Sequence, residues 1–576
     1  MLLITLPTVN ATFSTSLVED QNRKLEPWLK DKVQNLIQNA PDREISLVVR
    51  AKDNKAKHAL ADTLKNYADI KNLDVLDSLP VILVKAKASS VEKLASNPLV
   101  KHIGDGEAKV KAFLDVASST VSASQARATY DVDGEGVTIA ILDTGIDETH
   151  PDLDDLDDDP STTDPKVIYE ISFVPNEDPN DYYGHGTYVA GIAAGTGQAS
   201  NGTYKGIAPK ANLVNVKVLN SGGWGEIRWV INGIDWVISH RAQFNIRVVS
   251  MSLGTIYYYP PLYGQDPPYE DDGTSEICQA ADDAVAAGLV VCVAQGNLVL
   301  EDLDVETPRG LPAGGWLAFR PPASPAAAFN VIAVGGIDDK NTPSIADDTM
   351  WRGKALFNDV RYRNVIFSRA GPTNTTSNPR TKPDVVAPAK DIISCYHLWQ
   401  TSGNYYRTAS GTSAATPMVA GIAALMIQKY PELTPKQVKD ILKSTAELNN
   451  DLANTYNSYR YGAENIRGNG IVNATKAISV LARLTVSAKD QYNMDVGMAE
   501  VYIDGEFVGY SCRSYAVIKG DHTVEVAQVF WSLKYKYAFQ HWEDGTTANP
   551  RMLTISTDIT ITAYYQKTYW PYPIPR

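Results

Sequence analysis

From Val137 onward the chain keeps returning to one kind of segment, a short unbroken apolar run that leads into a polar or glycine residue. VTIAILD, ANLVNVKVL, NIRVVSMSL, GLVVCVAQGN and FNVIAVGG all have this form. A strand with one wet face alternates apolar and polar residues. An uninterrupted run instead implies burial on both faces, the condition of a parallel strand covered by helices. Apolar helical stretches, GEIRWVINGIDWVISHR and SEICQAADDAVAAG, lie between the runs. Strands alternating with helices dictate an α/β fold on a doubly wound, mostly parallel sheet. The pattern spans residues 130–482.

The flanks have other periods. Residues 44–112 read β-α-β-β-α-β: EISLVVRA, HALADTLKNYA, two strands broken around Leu79-Pro80, SVEKLASNP and VKHIGDG. That order is a ferredoxin-like α+β arrangement. The segment carries 12 Lys/Arg against 9 Asp/Glu, although the whole chain is acidic. A small basic lobe beside an acidic body has the complementary charge that favours docking. Within residues 1–43, MLLITLPTVNATF reads as the tail of a secretory signal or as a frayed terminus, and 17–39 reads as a helix. Residues 113–129 are small and polar, as in a linker. Residues 483–576 alternate with period two and form a small all-β domain. Hairpin turns are expected there at Asp504-Gly505 and Gly520-Asp521, with an extended tail at TYWPYPIPR.

Charge and cysteine content narrow the function. Among 576 residues, 53 Lys/Arg face 67 Asp/Glu, a net charge of −14. Without cation clusters such a chain is a poor match for nucleic acid. The absence of an 18-residue apolar run argues against a transmembrane helix. Cys278, Cys292, Cys395 and Cys512 are too few for a disulfide scaffold and show no zinc spacing. Cys278 and Cys292 either pair or stay as buried thiols.

Three polar residues stand where strands end or helices begin. Asp143 closes VTIAILD, His185 sits between glycines in GHGTYVAGIAAG, and Ser413 precedes an apolar helix in SGTSAATPMVAGIAALM. Functional groups of doubly wound sheets gather outside the carboxyl ends of the strands. A serine hydroxyl needs a base to become a nucleophile, and His185 is a base near neutral pH. The imidazolium that results needs a buried anion, and Asp143 is available. Ser413 reads as a helix N-cap, with Pro417 at the fourth helical position where a missing N–H costs little. Asn297, at the end of GLVVCVAQGN, can donate to an oxyanion beside the Ser413 N–H.

At these residues the chain resembles the subtilisin-like serine proteases, or subtilases. The strings that carry the resemblance are LDTGID, HPDL, GHGTYVAGI, SMSLG, AQGN, FSRAGPT, KPDVVAPA and GTSAATPMVAG, over residues 130–482. Asp, His and Ser also come in the order known from subtilisin. The resemblance implies a secreted, monomeric serine endopeptidase made as a zymogen and acting on proteins or peptides. Residues 44–112 would be its inhibitory propeptide, with autocleavage within 112–125. Ser252, Leu253 and Gly254 of SMSLG would pair with the substrate backbone. Tyr188, Gln295 and Ala389 depart from the usual family residues, and insertions at 257–273 and 298–320 fall where the family builds its primary specificity pocket.

The acidic run DLDDLDDD makes Asp154, Asp155 and Asp157 candidate calcium ligands, with a solvated acidic loop as the alternative. His150 and His397 read as structural. The β domain is similar to PEGA-like or immunoglobulin-like add-on domains through HWEDGTTANPR. Two other functions fit the same fold: a non-catalytic binding scaffold, and a protease restricted to one processing cut. A fluorophosphonate adduct at Ser413 separates the first from an enzyme, and a peptide-library digest separates the second.

Overall fold

The structure is a computed structural model. It describes residues 24–25, 27–107, 109–112, 120–157, 161–162, 164–255, 272–297, 322–342, 344–350, 352–357, 360–366, 381–450, 452, 467–532 and 534–570. The apolar start, nearly all of both long insertions, residues 113–119 of the linker and the final residues lie outside these. No helix among the described residues is long and apolar enough to cross a membrane. The chain divides into two compact units, 1–425 with 435–473, and 426–434 with 474–576.

The first unit is organised by one large sheet. Its order begins Val167–Ser172, Asn212–Lys217, Thr138–Asp143, Ile246–Met251, Val290–Ala294 and Ile332–Asp338. These pairs are all parallel. Val385–Pro388 adds a parallel neighbour to Ile332–Asp338, and the short Thr349–Met350 pairs with it antiparallel. The apolar runs are buried along their whole length, as at Thr138–Asp143 and Val290–Ala294. Because the strands are parallel, their carboxyl ends share one edge of the sheet. Asp143, Ser252 and Asn297 therefore come from three adjacent strand ends.

The N-terminal lobe forms an antiparallel-paired sheet ordered Ile70–Val75, Val81–Lys87, Glu44–Ala51, Val100–Asp105. Helices Pro27–Asn39, Asn54–Leu64 and Val91–Ala95 contribute to a core on this sheet. Val48, Leu79, Val81 and Leu83 join a different core, that of helices Ile227–His240 and Glu276–Ala286. Two polar fastenings secure this contact. The Asp235 carboxylate accepts the backbone N–H groups of Asp77, Ser78 and Leu79 at 3.1, 2.8 and 2.9 Å. Arg50 donates to Glu276 at 2.8 Å and to Asp283 at 2.6 Å, while His102 Nδ1 lies 2.8 Å from Glu276. Burial raises the Glu276 carboxyl, but Arg50 and His102 outweigh it and hold the group below its usual range.

Part of the expected linker is helical. Ala123–Tyr130 forms a helix with Ala123 and Ala126 buried. Its small residues look like linker composition, yet alanine is the strongest helix former. The first helix begins at Pro27 among the described residues, and 17–23 lie outside them.

The second unit contains a β sandwich. Five strands are ordered Arg513–Ile518, Leu481–Asp490, Ile559–Tyr569, Tyr535–Trp542, Val529–Ser532. Four more are ordered Glu506–Tyr510, Glu500–Ile503, Gly520–Val526, Arg551–Ile555. Asp504 and Gly505 both have positive φ, 52° and 81°, and close the hairpin that pairs Ile503 with Glu506. The expected hairpin at Gly520-Asp521 does not form. Arg513–Ile518 and Gly520–Val526 belong to different sheets, and Gly520 turns the chain between them at φ 149°. The unit also starts earlier than residue 483, because helix Ala474–Ser479 belongs to it. A change of period marks where strands begin, whereas core membership decides where a unit begins.

Candidate active site

The Asp143 strand and the His185 helix are joined by one short bond. His185 Nδ1 lies 2.6 Å from Asp143 Oδ1, and both residues are buried. The same oxygen accepts the Thr144 N–H at 2.8 Å. The start of the His185 helix is fixed by Asp181. Its carboxylate accepts the Gly184 N–H at 2.7 Å, the Thr187 N–H at 2.8 Å and the Thr187 hydroxyl at 2.7 Å. It also accepts the Thr144 hydroxyl at 2.8 Å, and that hydroxyl accepts the Gly186 N–H at 2.8 Å. One carboxylate thus ties the Asp143 strand end to the His185 helix. An Asp just ahead of a helix is a capping signal that NDYYGHGT carries, but the tie from Asp181 to Thr144 at another strand end has no local signal.

Two glycines make the close approach possible. A Cβ at Gly186 would lie 1.9 Å from the Gly145 carbonyl oxygen, and one at Gly184, where φ is 89°, would lie 1.9 Å from His397 Nδ1. Arg407 donates to the Gly184 carbonyl at 3.0 Å. Burial holds the His397 imidazole below its usual value.

Ser413 is the second residue of helix Thr412–Lys429, two positions further in than the N-cap expected for it, and Pro417 lies inside the helix. In a regular helix the N–H of residue 417 would bond the Ser413 carbonyl, and proline has none to give. The Ser252 hydroxyl replaces it, donating to that carbonyl at 2.8 Å. Asn297 is clamped to the same helix. Its Oδ1 accepts the Thr412 N–H at 2.8 Å and the Thr412 hydroxyl at 3.0 Å. This turns the NH2 end of the amide away from Thr412. The Ser413 N–H belongs to the first turn, whose N–H groups lack intrahelical acceptors. Ser413 Oγ is buried and makes no hydrogen bond among the described residues.

Beside Ser413 lies a three-stranded antiparallel patch. Lys109–Ala112, from the end of the N-terminal lobe, runs between Leu253–Thr255 and Trp224–Glu226. Ala112 opposes Leu253, Lys111 opposes Gly254, and Val110 opposes both Thr255 and Gly225. Leu253 and Gly254 thus lie in a strand that receives an extended segment, and Ser252 acts through its side chain on the Ser413 helix.

The acidic run forms a group different from the expected one. Asp155, Asp157 and Asp164 bring carboxylate oxygens within 4.8 Å of one another, and Asp154 is outside this group. Asp164 Oδ1 is buried without a hydrogen-bond partner among the described residues. An all-oxygen donor set of this kind suits calcium. His150, Asp152 and Cys395 also lie close together, but their donors are spent. Both His150 nitrogens are engaged, at 2.8 Å with the Tyr405 carbonyl and 3.1 Å with the Asp152 N–H. The Asp152 oxygens take the Ala199 N–H and the Tyr406 hydroxyl at 2.9 and 2.8 Å. Cys278 and Cys292 are both buried and are not joined by a disulfide.

Comparison with known proteins gives the same direction. The model of the subtilase family, peptidase S8, matches residues 134–464. Serine protease AprX of Bacillus subtilis (strain 168) is 36% identical over 372 residues, covering 62% of this chain and 72% of that protein. Subtilisin E of the same organism is 33% identical over 334 residues, 57% of this chain and 64% of its own length. M-protease of Shouchella clausii (strain KSM-K16) is 29% identical over 412 residues, 71% of this chain and 82% of its own.

Proposed function

Because the chain belongs to the subtilase family and is a subtilisin-like serine endopeptidase, we propose that Asp143, His185 and Ser413 are its catalytic triad and Asn297 its side-chain oxyanion donor. The observation that carries this reading is the buried 2.6 Å bond between His185 and Asp143 at the sheet edge that also holds Ser413. Asp143 fixes the imidazole with Nδ1 protonated, so Nε2 is the basic nitrogen. For reaction the Ser413 hydroxyl swings onto Nε2. As Oγ attacks the scissile carbonyl, its proton passes to His185, and Asp143 stabilises the imidazolium. The Asn297 NH2 group and the Ser413 N–H receive the oxyanion. His185 then returns the proton to the leaving amine. Water deacylates the serine by the same route in reverse.

The chain is made as an exported zymogen in this reading, and 44–112 is its propeptide. The pairing of Lys109–Ala112 with both cleft strands supports this, since a substrate backbone would be held in the same way. Ala112 opposes Leu253, one residue short of Ser252, whose hydroxyl contacts the Ser413 carbonyl. Self-cleavage therefore falls within a residue or two after Ala112. Asp155, Asp157 and Asp164 would hold a calcium ion that neutralises the acidic loop.

Expression of the parent beside Ser413→Ala tests the reading. The parent is expected to release an N-terminal fragment ending near Ala112, and the alanine variant to stay intact. Equal processing of both would refute self-cleavage by Ser413.

A further inference from the structure

The antiparallel ladder at the far edge of the large sheet ends on two opposed carboxylates. Ile337 pairs with Met350 and Asp338 with Thr349, so the next opposed positions are Asp339 and Asp348. Opposed residues of a ladder share a face, and like charges placed so repel. Both residues are 0% exposed.

Their hydrogen bonding is unequal. Asp339 accepts the Thr120 hydroxyl at 2.9 Å and the Asn341 N–H at 3.1 Å. Neither carboxylate oxygen of Asp348 has a hydrogen-bond partner among the described residues. Neighbouring donors are committed elsewhere. The Asn449 NH2 group serves the backbone carbonyls of Asp348 and Ile345 at 2.7 and 2.6 Å. Lys340 and Lys390 both bond Asp338, at 2.5 and 3.1 Å. The Thr342 hydroxyl goes to Asp347 at 2.9 Å. A buried carboxylate without a hydrogen-bond partner is among the costliest groups a fold can carry, and the charge of Lys340 offsets that cost only in part. Burial, with Asp339, Asp347 and Asp338 nearby, pushes the Asp348 carboxyl up to about 7.

We propose that Asp339 and Asp348 form a site for a hard divalent cation, of which calcium is the fitting one. The oxygens nearest Asp339 are of the same class. The Thr120 hydroxyl lies 2.9 Å from its carboxylate and 3.4 Å from the Thr342 carbonyl. Calcium takes six to eight such oxygens, water included, in flexible geometry. Thr120 lies just before helix Ala123–Tyr130 and after the stretch that follows the Lys109–Ala112 strand. An ion here anchors the start of the body to the edge of the sheet, whatever happens to the segment between. The site is distinct from the group at Asp155, Asp157 and Asp164.

Calcium titration of the full chain tests this, with Ser413→Ala as the background to prevent self-cleavage. The protein is stripped with a chelator and titrated by calorimetry, and its thermal unfolding is followed with and without calcium at pH 8. Asp348→Asn is expected to bind about one ion per chain fewer than its parent and to lose most of that ion's share of the calcium-dependent rise in Tm. In chelator it is expected to be at least as stable as the parent, because an unpaired charge is gone. Asp155→Asn with Asp157→Asn should leave the Asp348-dependent ion in place. Should Asp348→Asn fail to fold, Asp339→Asn serves the same comparison. Parent stoichiometry and an undiminished Tm response in the variant would overturn the site, leaving a buried neutral acid in its place.

Discussion

The contacts around Ser413 make a prediction that needs no substrate. Pro417 removes the N–H that a helix would offer the Ser413 carbonyl, and Ser252 supplies a hydroxyl in its stead. Ser252→Ala leaves that carbonyl buried and unsatisfied, at a cost of about 1–3 kcal/mol. Adding Pro417→Ala restores a backbone donor, so the double variant is expected to recover part of the loss. Urea unfolding of the four proteins of the cycle measures the coupling, and strict additivity would show that the two residues do not share the carbonyl. For catalysis, Asn297→Ala is expected to lower kcat by about 100- to 1,000-fold with little change in KM, a range established on a subtilisin. An equal fall in affinity would assign Asn297 to substrate binding instead. The residues proposed for the chemistry could be picked out because each has a chemically distinctive neighbourhood in the sequence. Asp181, Ser252 as a helix partner, and Thr412 were not, because their roles exist only once distant strands meet.

Between elements, a buried ion pair joins the N-terminal lobe to helix Glu276–Ala286. Arg50 and Glu276 are almost wholly buried. Removing one member of a buried pair leaves the other charge uncompensated, at about 3–5 kcal/mol. Glu276→Ala is therefore expected to destabilise the uncleaved Ser413→Ala chain by that order and to slow processing of the active chain. Urea unfolding and the time course of fragment release measure the two effects. The Glu276 carboxyl is held low in the folded state, so its contribution is complete above its ordinary value of 4.5 and fades as pH falls below it. A second buried group obeys the same rule. Asp384 takes ion pairs from Lys382 at 2.9 Å and Lys439 at 3.2 Å, which overcome burial and hold it at about 2 against an ordinary 3.8. Its share of the stability is present above 3.8 and lost as pH falls through about 2. Asp384→Asn should lose stability at pH 6, and the parent's advantage should shrink toward pH 2; a constant gap across that range would remove Asp384 from the acid transition. Elements with a clean period were legible from sequence. The false hairpin at Gly520 failed because a turn signal states that the chain bends, not which sheet it enters next.

At the scale of the molecule, the parallel character of the large sheet followed from a single rule, that doubly buried apolar runs separated by helices pair in parallel, while the order of its strands did not. What that rule left out is the joining of lobe and body. Val48 and Leu79 belong to the N-terminal lobe, yet they pack with Val230, Ile234 and Ala280 of the body. No local pattern separates a residue that faces its own helix from one that faces another lobe's. The account rests in the end on Ser413 being a nucleophile activated by His185. The direct measurement is labelling of the self-processed chain with a fluorophosphonate probe, followed by mass spectrometry of the peptides. A single adduct on Ser413, abolished by His185→Ala in a chain that still folds, is the predicted result. A processed, proteolytically active chain that carries no adduct, or carries it on another residue, would contradict it.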